Sequence, residues 1–258
     1  SSSTYHALQI EARRRASNGV LWQANYSFSK VLTDSSGTQV RFDPFLDIAQ
    51  PELERARATF DLTHVFNGNL VWELPLGIGR LREGWTVGSI WSWQSGSPLS
   101  VISGRGTVNR LARSGENTAV TTLSGDELDD VLGFRMTDDG PFFVAASAIN
   151  PRDGSGVSPD GEAEFGGQVF RHPGPGEVGN LPRRMFSGPS AFGFDLSLMK
   201  KTRLSETQQL TVGARIENVL NHPTFFAGSQ FLDDEQFGRI TSTLTNPRRI
   251  ELLARWSF

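Results

Sequence analysis

The sequence predicts an all-β fold: an antiparallel transmembrane β-barrel wall of about seven strands with long extracellular loops, forming part of a larger barrel. Three observations predict it. Long segments alternate apolar and polar residues with period two. The connections between those segments run short, long, short, long, short, long. Tryptophans gather near both ends of the apolar set. Successive side chains of a strand point to opposite faces, so alternation makes a ribbon with one apolar and one polar face. Connections that sort by length in this way mark outer-membrane barrels, whose periplasmic turns are short and whose outer loops are long.

The first strand spans about residues 5–15, with His6, Leu8, Ile10 and Ala12 on one face. Asn18-Gly19 is a strong hairpin signal, and the return strand sets Val20, Trp22, Ala24, Tyr26 and Phe28 on one face. Residues 31–58 lose the alternation, so they are expected to form a loop; Pro51 to Arg57 fits a short helix inside it. A long third strand is expected from Phe60 to Leu74, with Phe60, Leu62, His64, Phe66, Leu70 and Trp72 sharing a face. After a short turn over 75–84, the fourth strand groups Trp85, Val87, Trp91 and Trp93. Residues 97–190 form the second long loop, and 218–247 the third. Between them lie a fifth strand carrying Phe192, Phe194, Leu196 and Leu198 and a sixth carrying Leu210, Val212, Ala214 and Ile216. The last strand places Ile250, Leu252, Ala254, Trp256 and Phe258 opposite Arg249, Glu251, Leu253, Arg255 and Ser257.

With the short turns placed in the periplasm, Trp22, Trp72, Trp85 and Trp256 fall at periplasmic strand ends, and Trp91 and Trp93 at the outer ends with Phe28, Phe60 and Phe192. Two aromatic girdles around an apolar band suit a bilayer. Trp85 and Trp93 are separated by roughly 26 Å of strand, or roughly 20 Å of height at a tilt of about 40°, close to the known band of about 25 Å. A soluble β-sandwich also alternates, but its strands average about 5–6 residues and its connections do not sort by length. Seven strands are too few to close and odd in number, so residues 1–258 are expected to be the C-terminal part of one barrel domain, about a third of a wall of roughly 22 strands.

Composition excludes other classes. No run of about 18 apolar residues exists for a spanning helix. The formal net charge of −3 argues against nucleic acid as a partner. With no cysteine, disulfides, thiol catalysis and thiolate metal sites are ruled out.

A set of short segments carries a resemblance: Tyr5-His6-Ala7-Leu8-Gln9, Asn25-Tyr26-Ser27-Phe28-Ser29-Lys30, Gly84-Trp85-Thr86-Val87, Gln94-Ser95-Gly96-Ser97-Pro98, Gly179-Asn180-Leu181-Pro182-Arg183, Phe194-Asp195-Leu196-Ser197-Leu198, Glu217 to Pro223, and Phe237 to Ser242. Each is weak alone, but together they run through nearly the whole chain in order. The chain resembles the C-terminal barrel region of TonB-dependent outer-membrane receptors, in particular the Oar-like branch whose members carry a carboxypeptidase-regulatory-like domain. The resemblance implies import of a large solute, such as a metal chelate or saccharide, driven through a plug by the TonB complex. Neither a plug nor a TonB box is visible in the sequence. The terminal Trp256-Ser257-Phe258 also looks like the aromatic signal read by the barrel-assembly machinery, with Trp256 and Phe258 as its aromatic residues.

No catalytic, cofactor-binding or metal site is expected, and an enzyme is not the reading. Gly174 to Gly179 fits G-x-G-x-x-G, but no strand precedes it, no helix follows, and Pro175 occupies the turn. His6, His64, His172 and His222 are scattered, with no G-x-S-x-G motif to pair with them. Residues 122–165 hold ten acids against Arg135 and Arg152, a net of −8. The oxygen donors of Asp153-Gly154-Ser155-Gly156 with Asp160 suit a Ca²⁺ ion or a lid for cationic ligands, while composition favours a solvated, disordered loop. On the polar face, Glu11, Arg13, Arg215, Glu217, Glu251 and Arg255 are expected to form a cross-strand charge ladder or to line a solute path. Two other functions fit the same pattern: a surface adhesin displayed on the loops, or a small passive porin. Expected partners are outer-membrane lipid, the assembly machinery, TonB through a plug, and an extracellular solute.

The parity generates a paired test. Leu252→Arg should block membrane assembly, costing about 2–4 kcal/mol at mid-bilayer depth, while Leu253→Arg, one residue along, should be tolerated. Heat-modifiable gel mobility of outer-membrane fractions reads the difference, and equal damage from both substitutions contradicts the parity.

Overall fold

The computed structural model describes residues 2–35, 46–47, 49–108 and 117–258. β1 (Ser3–Ser17) and β2 (Val20–Thr33) form a hairpin closed by Asn18 at φ 53° and Gly19 at φ 77°. Positive φ at both central residues is what the tight hairpin turn matched to strand twist requires, and Asn-Gly is the pair that adopts it most readily. A 3₁₀ turn (Pro51–Glu54) and β3 (Ala56–Arg57) follow, and β3 adds to the end of β2. β4 (His64–Glu73) and β5 (Trp85–Gln94) form the second hairpin. Six short strands come next: β6 (Pro98–Leu99), β7 (Val120–Thr121), β8 (Leu132–Thr137), β9 (Gly140–Val144), β10 (Phe170–Arg171) and β11 (Phe186–Ser187). Helix α1 (Gly125–Val131) lies between β7 and β8. β12 (Ala191–Arg203), β13 (Gln209–Glu217) and β14 (Arg249–Ser257) end the chain.

The wall is an antiparallel meander in the order β1-β2-β4-β5-β12-β13-β14, open at β1 and β14. Its register keeps the apolar parity intact from strand to strand. Leu252 faces Ala214, Ala214 faces Leu198, Leu198 faces Val87, Val87 faces Trp72, and Trp72 faces Val20. A second row runs Phe192, Trp93, Phe66, Tyr26, Ile10. A slip of one residue at any strand would turn its whole apolar set to the other side. Gly68 lies opposite Trp91, where an added Cβ would sit 2.9 Å from the indole, so the missing side chain lets that ring lie across the neighbouring strand.

Burial is inverted relative to a soluble domain. Among the described residues, no buried hydrophobic side chain belongs to a wall strand. Leu8, Ile10, Trp72, Ile250, Leu252 and Trp256 are exposed instead. The buried core lies in the long connections. Leu99, Leu128, Val144, Phe170 and Phe186 from residues 97–190 pack with Leu232, Phe237 and Ile240 from 218–247. Ile102 bridges Phe231, and Phe142 bridges Arg239. The first long connection joins them through the buried ion pair of Glu54 with Arg183.

Three expectations are corrected. The 97–190 segment is folded rather than structureless: β6 pairs β11, β7 pairs β10, β8 pairs β9, and all rest on a shared core. The third wall strand starts at His64, not Phe60. Phe60 and Leu62 therefore leave the apolar face and line a recess with Tyr5, Ser27 and Val65 on the polar face. The cause is Asp61, fully buried, which takes Arg57 at 2.8 Å and the Val31 amide at 2.7 Å and so breaks the extended run. Within the first loop, the short helix falls at Pro51–Glu54 and gives way to a strand at Ala56; residues 36–45 and 48 of that loop lie outside the described residues.

Phe237 is 1% exposed and packs edge-on against Phe170. Phe237→Ala should cost the lobe about 3–5 kcal/mol. Limited proteolysis should then cut within 97–190 while the wall keeps its heat-modifiable mobility; a protease-resistant lobe in the variant would show that the two long connections do not share a core.

Candidate functional site

Two regions concentrate polar chemistry: the polar face of the wall and the lobe built on its long-loop end. On the wall, a cavity of about 390 Å³ opens over β4, β5, β12 and β13, lined by Asn69, Ile90, Asp195, Ser197, Arg215 and Glu217. These side chains share one parity, opposite to the apolar rows. Asp195 accepts a hydrogen bond from the Asn218 amide at 2.8 Å, which fixes one carboxylate oxygen at the rim of the recess. Arg215 stands opposite Glu251, and Glu217 opposite Arg249, while Arg249 reaches Glu251 at 2.5 Å. Opposite charges facing across strands contribute about 0.2–1 kcal/mol each and leave a polar surface in place of an apolar one.

The structure does not gather all six predicted charges. Glu11 and Arg13 sit on β1, at the other edge of the wall, 4.0 Å apart on one strand, with Gln23 donating to Glu11 at 3.4 Å. Arg255 lies opposite Thr211 and joins no ion pair among the described residues. The charges thus form two groups at opposite edges.

The six tryptophans all lie on the apolar parity. Trp22, Trp72, Trp85 and Trp256 sit beside short turns or at the short-turn end of β14, and Trp91 and Trp93 near the long-loop end of β5. Trp91 stacks on Phe194, and Trp93 contacts His64, whose Nδ1 shares a 2.8 Å hydrogen bond with the Tyr26 hydroxyl. Phe258 follows the last ladder residue and meets Trp256 edge-on.

In the lobe several of the acids have partners. Asp160 meets Arg105 at 2.8 Å, Glu164 meets Arg171 at 2.8 Å, and Glu162 pairs with Arg152. Arginine hydrogen bonding holds the Asp160 and Glu164 carboxyls below their usual range. Asp153 turns back onto the Ser155 hydroxyl at 2.6 Å, the main reason that its carboxyl is also lowered. Glu127 closes a capping box with Ser124 at the start of α1. One oxygen each of Asp153 and Asp160 is thus engaged by a protein donor, and among the described residues no group of three or more acids and histidines is placed to hold a metal.

One constellation escaped the sequence. His172 Nδ1 meets the Ser103 hydroxyl at 2.7 Å and its Nε2 meets Asp233 at 3.0 Å, with Arg105 3.6 Å from the same carboxylate. The three residues come from three distant segments, and no local motif signals them. The order Ser-His-Asp evokes nucleophilic catalysis, yet Ser103 is 2% exposed. A buried hydroxyl presents no face to a substrate carbonyl. What the relay does is tie 97–190 to 218–247. Burial pushes the His172 imidazole below its ordinary value, with Arg105 acting in the same direction against Asp233 and Asp160.

An antiparallel wall with unburied rows of large apolar side chains on one face, and with the charged side chains gathered on the other, is a wall built for lipid on one side and water on the other. It defines the class: a membrane-embedded β-barrel protein. Residues 1–251 match the family described as Outer membrane beta barrel domain, and the chain belongs to it, which places it in the bacterial outer membrane. No curated protein and no solved structure matches this chain.

A folded-state pKa lowered below the ordinary histidine value of 6.5 favours the neutral ring. Its contribution is complete above that value and is lost as pH falls through the lower folded-state pKa. Amide protection factors over 97–105 and 229–240 should therefore hold above about pH 6.5 and fall as the pH drops below it, and His172→Gln should flatten the dependence. Protection indifferent to pH in the wild type contradicts this role.

Proposed function

We propose that this chain is a wall segment of a TonB-dependent import receptor for a large solute, such as a metal chelate or saccharide. The single observation that supports it most is the pairing of an open, seven-strand wall with a folded lobe over one end of its polar face. An open wall leaves the edge groups of β1 and β14 without strand partners, and in a bilayer such edges must be paired. Further strands closing the wall enlarge the lumen beyond what seven strands enclose, which suits a bulky solute and a plug. The long connections are extracellular on this reading and the short turns periplasmic. The lobe then stands where a solute first meets the receptor, and the charged recess at Arg215 and Glu217 lies on its way inward.

Display of a binding lobe without transport is the second reading, favoured by the lobe's own hydrophobic core.

Planar-bilayer recording of the full-length protein separates these readings. A plugged receptor should show no steady conductance until urea loosens the plug, and should cross-link to TonB in cells. Steady open currents without denaturant point to a porin, and a protein that never conducts and never meets TonB is an adhesin.

A further inference from the structure

The charge of this protein is unevenly distributed along the wall. The short-turn rim, residues 13–19, 73–85, 200–208 and 255–258, carries nine arginines and lysines against Glu73, Glu83 and Glu206, a net of +6 in a chain of formal charge −3. At the other end five arginines are spent: Arg57, Arg105, Arg152, Arg171 and Arg183 each hold a carboxylate. At the short-turn rim most are not. Among the described residues, Arg14, Arg15, Arg80, Arg82, Lys201 and Arg203 form no ion pair, and all are exposed. Glu83, next to Arg82 in the sequence, accepts the Gly79 amide at 2.5 Å.

The turn that carries Arg80 and Arg82 has a second unusual property. Ile78 is 93% exposed and Leu81 86% exposed, the apolar tips of a loop that points away from the wall. The turn is nevertheless ordered: Arg82 and Glu83 amides both bond Gly79, and the Trp85 indole donates to the Leu81 carbonyl at 2.8 Å. Lys200, on the outward parity, lies 5.8 Å over the Trp85 ring and donates to the Glu83 carbonyl, tying β12 to the turn. Arg14, opposite Trp22, adds a cation on the same outward face. Apolar tips, interfacial tryptophans and unpaired cations on one surface match a boundary between acyl chains and anionic headgroups.

We infer that the short-turn rim is a seat for anionic phospholipid, with Arg14, Arg80 and Arg82 contacting headgroup phosphates while Ile78 and Leu81 enter the acyl boundary. The occupant follows from charge complementarity: a zwitterionic headgroup offers no net charge to the outward Arg14 and Lys200 and the turn's Arg80 and Arg82, whereas phosphatidylglycerol offers one negative charge per molecule. The inference rests on the reading of this end as periplasmic only for which leaflet supplies the lipid.

Electron spin resonance of spin-labelled phosphatidylglycerol and phosphatidylcholine with the full-length protein in mixed vesicles tests it. The wild type should select phosphatidylglycerol. Removing the arginines should cut that selectivity about fivefold per charge in Arg14→Gln, Arg80→Gln and Arg82→Gln, read singly and combined. Lysine at the same positions should retain it, and Arg152→Gln in the lobe should leave it unchanged. Heat-modifiable mobility shows that each variant is assembled. Equal association of the two lipids with the wild type overturns the proposal. So does a preference that survives the triple substitution, or one that inorganic phosphate abolishes more effectively than chloride at equal ionic strength. TonB cross-linking is a separate readout, so loss of lipid selectivity with cross-linking intact, or the reverse, tells the two readings apart.

Discussion

Every other feature of this molecule depends on cross-strand register. Seven strands are paired so that their outward-facing sets stay in line, as in the apolar row from Leu252 on β14 through Ala214, Leu198, Val87 and Trp72 to Val20 on β2. The hydrogen-bonded ladder satisfies the backbone along the interior of the wall, which is a condition of existence inside hydrocarbon. The same ladder fixes which side chains meet lipid and which meet water. An apolar row on the outside and Arg215, Glu217 and Glu251 on the inside are two consequences of one alignment.

That alignment was legible in the sequence because strand parity is a local property. Each strand states its faces in about ten residues, and the Asn18-Gly19 turn states where two of them join. The lobe was not legible for the opposite reason. Its strands are mostly two residues long, too short to show a period, and their partners are far away: Leu99 with Phe186, Thr121 with Phe170. The acidic surplus over 122–165 suggested disorder because that window excludes Arg105 and Arg171, which neutralise Asp160 and Glu164. Phe60 and Leu62 were assigned to the wrong face because alternation continued through Asp61, a residue that ends the strand by its buried ion pair with Arg57. The Ser103–His172–Asp233 relay had no local signature at all.

The two ends of the wall do different physical work. At the long-loop end, five arginines hold carboxylates and a hydrophobic core is buried, so the lobe is a self-supporting body held to the wall. At the short-turn end, cations stand unpaired beside exposed Ile78 and Leu81, and the surface is finished only by what surrounds it. A protein whose folding leaves this much apolar surface bare depends on the bilayer as its other half: the hydrophobic effect that closes a soluble core here favours insertion.

The most direct measurement is spin-label accessibility along β14. Nitroxides placed singly from Arg249 to Ser257 in the membrane-embedded full-length protein should alternate with period two. Labels at 250, 252, 254 and 256 should collide with oxygen dissolved in lipid, and those at 249, 251, 253 and 255 with a water-soluble nickel chelate. Accessibility without alternation, or with the two sets reversed, would contradict the division of the wall into a lipid face and a lumen face.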